Sequence, residues 1–157
     1  MRALGLVVAA FVAMEPVTYA VHRWIMHGPG HPVHRSHHRP PIGRLETNDL
    51  YPVVFAAVVG VALAVGFNVD GWGWLVPAGV GVTLYGAAYG AVHDGHIHGR
   101  LRVLARRRWR YLDRLVDAHR IHHLYGGEPY GMLLPVVPEG LRQRAATSER
   151  DPLPRRG

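Results

Sequence analysis

Ten of the twelve histidines fall into a pattern that occurs twice along the chain. Each copy is a pair of histidines five positions apart, followed by a triplet at positions i, i+3 and i+4. The pairs are His22 with His27 and His93 with His98, and the triplets are His34, His37, His38 and His119, His122, His123. Imidazole is the commonest protein ligand for metals such as zinc, iron, copper and nickel. The repeat therefore predicts a site for two metal ions rather than one.

The spacing within each group indicates how the chain must fold to bring the rings together. Residues at i, i+3 and i+4 share one helix face. Residues five apart, by contrast, point about 140° away from each other on a straight α-helix. We therefore predict a π-type turn inside each pair, eased by Gly28 beside the first pair and by Gly95 and Gly99 in and beside the second. His31 and His96 lie outside the four groups and are predicted to be supporting or surface residues.

Three apolar stretches must position these histidines. Residues 3–21, 51–69 and 74–92 are almost entirely apolar, and the last two contain no charged residue. Each would reach about 28 Å as a helix, close to the thickness of a bilayer's hydrocarbon core. A soluble helix of this size would need a polar face, which these stretches lack. The chain is thus predicted to be an all-α integral membrane protein with three long spans, in which Gly60, Ala64, Gly86 and Gly90 allow close helix packing.

The charges orient the spans. All 18 basic residues are arginine, and none lies in the connection 70–73. The positive-inside bias places that turn outside and both histidine-bearing segments, 22–50 and 93–157, in the cytoplasm. We expect a histidine-rich helical cap on the cytoplasmic side of a bacterial inner membrane. The arginine run 100–110 fits contact with lipid headgroups or docking of an acidic partner, and its position beside the spans argues against nucleic-acid binding.

The chain contains no cysteine, which excludes disulfides, thiolate ligands and iron–sulfur clusters. A bound metal must therefore be held by nitrogen and oxygen atoms.

The C-terminal part is predicted to be less regular. Apolar periodicity predicts a helix from Tyr111 to Tyr125 lying along the membrane surface, and Asn48–Asp49 is a candidate cap for the second span. Residues 132–137 are apolar but too few to span a bilayer. The sequence therefore allows a short fourth membrane element here without requiring one. From Glu139 the chain is polar with several prolines, which predicts a disordered tail. The expected division is a membrane-embedded domain, 1–138, and a tail, 139–157.

The histidine strings carry a family resemblance. In order they are HRWIMH, HRSHH, HDGHIH and HRIHH, which resembles the integral-membrane non-haem di-iron hydroxylases and desaturases of the fatty acid hydroxylase superfamily. The strings MEPVTYAVHRWIMHG, NDLYPVVFA, YGAVHDG and AHRIHH are similar to the bacterial beta-carotene 3-hydroxylases within it. The resemblance runs from about Met14 to Tyr125. It departs at His96, where an apolar residue is expected, and at the additional His31.

The resemblance implies a reaction and its requirements. It implies two non-haem iron ions held by the ten histidines, molecular oxygen as co-substrate, and electrons from ferredoxin and ferredoxin reductase. It also implies hydrogen abstraction from carbon 3 of a beta-ionone ring and hydroxyl rebound, converting beta-carotene through beta-cryptoxanthin to zeaxanthin. A hydrocarbon dissolved in the bilayer would need a lateral apolar entrance between the spans. Trp24, Tyr85 and Tyr89 are candidate lining residues, although ordinary core or interface packing is favoured for each.

Carboxylates are expected around this shell, because ten imidazoles bring no negative charge to offset a metal. The candidates by sequence proximity are Glu46, Asp49, Asp94 and Asp117. Glu15 lies inside the first span, where an ionisable residue is costly and usually functional. It precedes His22 by seven residues, or about 10 Å along a helix. We expect it to support the site or relay protons; alternatively it is a neutral acid bonded to a neighbouring helix, with Thr83 as a candidate partner.

Three other functions fit the same pattern. A fatty acyl or sterol hydroxylase or desaturase would use the same chemistry on another lipid, and a carotenoid ketolase would oxidise the neighbouring ring carbon. A membrane zinc-binding or metal-transport protein would use the histidines without catalysis. The placement of every histidine at one interface disfavours a conduction path through the membrane.

Overall fold

The computed structural model of the protein describes residues 1–39, 45–100 and 109–153, and these are helical with no strand. Helix α1 (Arg2–Ala20) continues into a π-helical turn, Val21–Met26, and α2 (His31–His34) is a single turn. A 3-10 turn, Thr47–Asp49, leads into α3 (Leu50–Asn68). Helix α4 (Leu75–Gly90) continues into a second π-helical turn, Ala91–Ile97, and α5 (Arg110–Tyr125) and α6 (Glu139–Ala146) follow. The all-α prediction is confirmed.

Three described helical stretches, Arg2–Met26, Thr47–Asn68 and Leu75–Ile97, are long and apolar enough to cross a bilayer. They coincide with the three predicted spans. Their apolar side chains remain largely uncovered by the protein; Val53 and Val61 on α3 are 63% and 65% exposed. Such a continuous apolar surface fits lipid rather than water. The protein is therefore an integral membrane protein.

Helix α4 packs against both α1 and α3, and glycines make these contacts possible. A Cβ on Gly81 would collide with the backbone of Val7, and one on Gly79 would lie 2.7 Å from Cδ2 of Leu63. The prediction that Gly60, Gly86 and Gly90 serve close packing is wrong, because a Cβ on any of them would meet no atom within 4 Å. These three glycines instead line a cavity of about 520 Å³ bordered by all three spans, the interhelical cleft.

Helix α5 confirms the helix expected after the arginine run, whose residues 101–108 lie outside the described part of the chain. It ends at Gly126, which has φ 64° and donates its N–H to the carbonyl of His122 at 2.7 Å. Glycine adopts this left-handed conformation without the steric cost that other residues incur. The turn directs the chain back over the histidines.

The segment between α5 and α6 is not a fourth helical span. Residues 127–134, the strap, run without helical structure across α1, and Met132 is buried in a core cluster with Ile97, Leu115 and Leu153. Leu153, which lies in the segment predicted to be a disordered tail, belongs to this cluster. Within the described residues the tail forms α6 and packs on α5, where Arg120 donates to the carbonyls of Ser148 and Arg150 at 3.1 and 2.9 Å. The polar composition of this segment does not predict the burial of Leu153 or the hydrogen bonds from Arg120.

Candidate metal centre

Both predicted π turns are present, and each brings its histidine pair together. The N–H of His27 donates to the carbonyl of His22 at 3.0 Å, and that of His98 donates to the carbonyl of His93 at 2.9 Å. These bonds span five residues, one more than in an α-helix. The ring centroids are 5.1 Å apart in the first pair and 4.7 Å apart in the second. The extra residue in each turn thus turns both rings of a pair toward one side.

The ten histidines gather into two adjoining clusters in which the two sequence repeats exchange one residue. The first cluster contains His22, His27, His34, His38 and His122; the second contains His37, His93, His98 and His119. The ligand atoms within each cluster lie within 4.8 Å of one another. His123 adjoins the second cluster, with its Nε2 3.2 Å from that of His37. Each repeat therefore contributes its pair and two members of its triplet to one cluster. The middle member of each triplet, His37 or His122, belongs to the other cluster.

The nitrogen separations match those of neighbouring ligands on one ion. Nε2 atoms are 3.2 Å apart between His22 and His34, and 3.1 Å apart between His27 and His122. In the second cluster the Nε2 atoms of His98 and His119 are 3.0 Å apart. Two nitrogens bound at about 2.1 Å to the same ion and about 90° apart would be separated by about 3.0 Å. The donor set therefore fits a metal with several imidazole ligands at near right angles.

The Nδ1 atoms of five histidine rings lie within hydrogen-bond distance of acceptor oxygens, and these contacts fix the direction of the Nε2 lone pairs. Because a carbonyl or carboxylate oxygen can only accept, each of these imidazoles donates from Nδ1 and keeps its lone pair on Nε2. The pairs are His22 with the Tyr130 carbonyl at 3.0 Å, His122 with the Gly127 carbonyl at 2.6 Å, His34 with Asn48 at 2.7 Å, His93 with Asp94 at 3.0 Å and His37 with Glu46 at 3.4 Å.

Without a cation this arrangement would be unfavourable. The Nε2 lone pairs of His22 and His34 face each other at 3.2 Å, and those of His37 and His93 face each other at 2.9 Å. Neither nitrogen of either pair can donate a hydrogen bond to the other while Nδ1 carries the proton. A positive ion between them converts this repulsion into coordination.

The rings outside the spans are held in the neutral form that binds metals. Burial lowers the pKa of His34 to about 4, of His38 to about 3 and of His98 to about 2. Burial likewise places the pKa of His119 and His122 well below the usual value for histidine. These imidazoles are therefore uncharged at neutral pH, and protons do not compete with a metal for their nitrogens.

The predicted carboxylates occupy different places. Glu46 and Asp94 accept from histidines of the second cluster, as described above. Asp49 forms a two-pronged ion pair with Arg100, at 2.8 and 3.1 Å. Arg100 also lies 3.5 Å from Asp94 and 3.8 Å from Glu46. A residue of the run predicted to contact lipid headgroups or an acidic partner thus joins all three carboxylates. Asp117 is exposed on α5.

Glu15 binds the strap. Its carboxylate accepts the Tyr85 hydroxyl at 2.6 Å and the backbone N–H groups of Met132, Leu133 and Leu134 at 2.9 to 3.0 Å. The bond to Tyr85 on α4 matches the alternative of a partner on a neighbouring helix, although the partner is Tyr85 rather than Thr83. Thr83 donates to the carbonyl of Gly79 instead. Glu15 thus reaches the histidines through the strap, whose Tyr130 carbonyl accepts from His22.

Several supporting residues were not predicted. The sequence predicts Asn48 as a candidate helix cap, but its side chain accepts from His34. The start of the strap is fixed by Glu128, which accepts from Tyr19 at 2.6 Å and pairs with Arg23 at 2.8 Å. The identities of Tyr19, Arg23 and Glu128 were available in the sequence, but nothing in their spacing indicates that they meet. His31 is exposed, and His96 is buried outside the two clusters.

The comparisons with known proteins show the family to which the chain belongs. The fatty acid hydroxylase family matches residues 7–139. A beta-carotene hydroxylase of Paracoccus sp. (strain PC1) is 44% identical over 128 residues, covering 80% of this chain and 76% of that protein. A beta-carotene hydroxylase of Pseudescherichia vulneris is 44% identical over 124 residues, covering 78% and 68%. Beta-carotene 3-hydroxylase 1, chloroplastic, of Arabidopsis thaliana is 37% identical over 154 residues, covering 94% and 48%.

The chain therefore belongs to the fatty acid hydroxylase family, and its two histidine clusters indicate a metal-binding site within it. Inside that family it is similar to the bacterial proteins named beta-carotene hydroxylase, which confirms the resemblance predicted from its histidine strings. No solved structure matches the chain.

Proposed function

We propose that this protein hydroxylates carbon 3 of the beta-ionone rings of beta-carotene, giving zeaxanthin through beta-cryptoxanthin. The arrangement of ten histidines in two adjoining clusters is the observation that supports this most directly. It supplies nitrogen ligands for two iron ions and leaves open positions, since two six-coordinate ions have about twelve positions between them. Relatives named for this activity match most of the chain.

The bound iron pair would supply the redox chemistry: with two electrons and two protons, one atom of molecular oxygen enters the C–H bond and the other leaves as water. The described residues hold and orient this centre. The carbonyls of Gly127 and Tyr130 and the side chain of Asn48 accept from Nδ1 atoms, so that the Nε2 lone pairs point inward. Glu46 and Asp94 do the same for the second cluster and bring negative charge near it.

The spans deliver the substrate. The interhelical cleft is lined by Tyr85 and Tyr89, for which the sequence favours ordinary packing, and one end reaches His93. Trp24 packs edge-on against Tyr19 rather than lining the cleft, with ring centroids 6.4 Å apart. A hydrocarbon dissolved in the bilayer can enter such a cleft from the side without crossing water.

The membrane side of the histidines determines where the electron donor would dock. The arginine distribution supports a location of the histidines on the cytoplasmic side of a bacterial inner membrane. Ferredoxin, reduced by its reductase, would deliver electrons from that side, where an acidic carrier would be attracted to the basic surface.

The test is to express the chain in cells that make beta-carotene and to identify the products by chromatography and mass spectrometry. Zeaxanthin and beta-cryptoxanthin should appear with the wild type, and neither should appear with His122→Ala. The control is His31→Ala, which removes an exposed histidine outside both clusters and should leave product formation unchanged. Equal amounts of each variant in the membrane must be established by immunoblotting.

The alternatives give other outcomes. Canthaxanthin in place of zeaxanthin would assign a ketolase, and modified fatty acids or sterols with unchanged beta-carotene would assign another lipid. Unchanged lipids together with metal accumulation in the cells would assign metal binding or transport.

A further inference from the structure

The interhelical cleft runs lengthwise along the spans. On α3 it is lined at positions that recur every three or four residues, from Pro52 and Phe55 through Val59 to Leu63, which is one helix face. From Asn48 to Leu63 the helical rise corresponds to about 22 Å. The cleft is therefore elongated, and its length suits an extended chain better than a compact ligand.

One end of the cleft lies against both histidine clusters. His93, which lines it, belongs to the second cluster, and its Nε2 is 2.9 Å from that of His37. Asn48, which also lines it, holds His34 of the first cluster. A molecule that fills the cleft thus has one end beside the candidate metal site and the rest among apolar side chains at membrane depth.

Glycines leave this cleft free of side chains at three positions. A Cβ on Gly60, Gly86 or Gly90 would meet no atom within 4 Å, so these glycines are not required by helix contact. Gly86 lies seven residues before His93, about 10 Å along the helix, in the half of the cleft nearest the histidines. Gly60 lies twelve residues beyond Asn48, about 18 Å along α3. The two positions therefore test two different depths.

We propose that the interhelical cleft binds the substrate hydrocarbon lengthwise, with Gly86 setting the width available to the ring that reacts and Gly60 setting the room for the chain behind it. This inference rests on the proposed carotenoid substrate. A rod-like apolar molecule with a bulky ring at its end fits a cleft that is long, apolar and free of side chains at these points. A Cβ at either glycine would have free space around it, so substitution by leucine is expected to add a side chain to the cleft.

The experiment compares Gly86→Leu, Gly60→Leu and Ala87→Leu, the last an exposed residue on α4 outside the cleft lining. Two substrates are used: beta-carotene, and a shortened carotenoid with the same ring whose chain ends before Gly60. We expect Gly86→Leu to lower turnover of both by about ten-fold or more, since small displacements of the reacting atom are costly. Gly60→Leu should lower turnover of beta-carotene alone, and Ala87→Leu should match the wild type.

Two further measurements keep the outcomes distinct. Metal content and yield of each leucine variant should equal those of Ala87→Leu, so that lost turnover is not lost folding. Binding of beta-carotene to the purified proteins, followed by quenching of tryptophan fluorescence, should weaken in Gly86→Leu and Gly60→Leu. An active wild type with unchanged turnover and binding in Gly86→Leu would overturn the cleft proposal. A wild type that binds beta-carotene in the cleft but hydroxylates no carotenoid would overturn the proposed function instead.

Discussion

Both carboxylate oxygens of Glu15 lie 3.0 Å from the backbone nitrogen of Leu133, 118 residues further along the chain. This contact joins the first span to the strap, and the strap in turn presents the carbonyls that accept from His22 and His122. A carboxylate inside a span is therefore explained by backbone N–H groups that would otherwise lack acceptors at membrane depth.

Glu15→Gln should loosen the strap, because an amide nitrogen cannot accept a hydrogen bond and the charge is lost. A buried donor left without an acceptor costs about 1–3 kcal/mol, so the variant should unfold at lower temperature in detergent. Hydrogen exchange at Met132, Leu133 and Leu134 should be faster. The same change at Glu149, which is exposed, serves as the control; identical exchange in both variants would contradict the role of Glu15.

Asn48→Ala should weaken metal binding. The side chain is 8% exposed and accepts from His34 at 2.7 Å, and loss of such an orienting partner typically costs about 10–100-fold in affinity or activity. Competition with a chelator measures the affinity. Asn68→Ala, at the far end of α3, is the matched control and should bind metal as the wild type does. Equal affinities in the two variants would show that His34 needs no orientation.

Gly28→Ala should disrupt the first histidine pair. A Cβ at this position would collide with the carbonyl oxygen of Trp24, a backbone atom of the first π turn. The turn must shift, and His22 and His27 would separate. We expect metal content to fall well below that of the wild type. Gly5→Ala on α1 meets no atom within 4 Å and should retain the metal; retention in both variants would mean that the turn tolerates the collision.

Metal removal should destabilise the protein. In the metal-free form the facing lone pairs of His22 with His34 and of His37 with His93 have no cation between them. A ligand present at a thousand times its dissociation constant stabilises the folded state by about 4 kcal/mol. The unfolding temperature in detergent should therefore fall on chelation and recover when ferrous iron is added back anaerobically. If the unfolding temperature does not change on chelation, coordination of a metal by these rings is contradicted.

Arg120→Gln should free the C-terminal segment. The guanidinium donates to the carbonyls of Ser148 and Arg150 and lies 3.6 Å from Asp151. Loss of about 1.4 kcal/mol of local stability would speed cleavage by limited proteolysis about ten-fold. Arg142→Gln alters a side chain that is 60% exposed and should leave the cleavage rate unchanged. If the two variants are cut equally fast, α6 is held by other contacts.

Much of this architecture follows from local sequence. The spans are visible in apolar stretches about as long as a bilayer requires, and the two π turns follow from histidines five apart that must share a site. The roles of the glycines are harder to predict from the sequence. Small residues recur on several faces of α4, and only the packing of α1 and α3 decides which of these faces contacts a neighbouring helix. Gly79 and Gly81 make the contacts, whereas Gly86 and Gly90 border the cleft.

The supporting contacts could not be predicted for a different reason. Backbone carbonyls such as those of Gly127 and Tyr130 have no sequence signature, and they reach His122 and His22 only because an irregular strap folds back across α1. Leu153 joins the core from within a polar tail. These are contacts between residues distant in sequence, which composition and periodicity do not encode.

His37 lies in the cluster formed mainly by the second repeat, and His122 lies in the cluster formed mainly by the first, so the two halves of the chain are interlocked. Neither repeat could complete a full set of ligands by itself, so an ion entering one position would help to organise the other, and loading would be cooperative rather than stepwise.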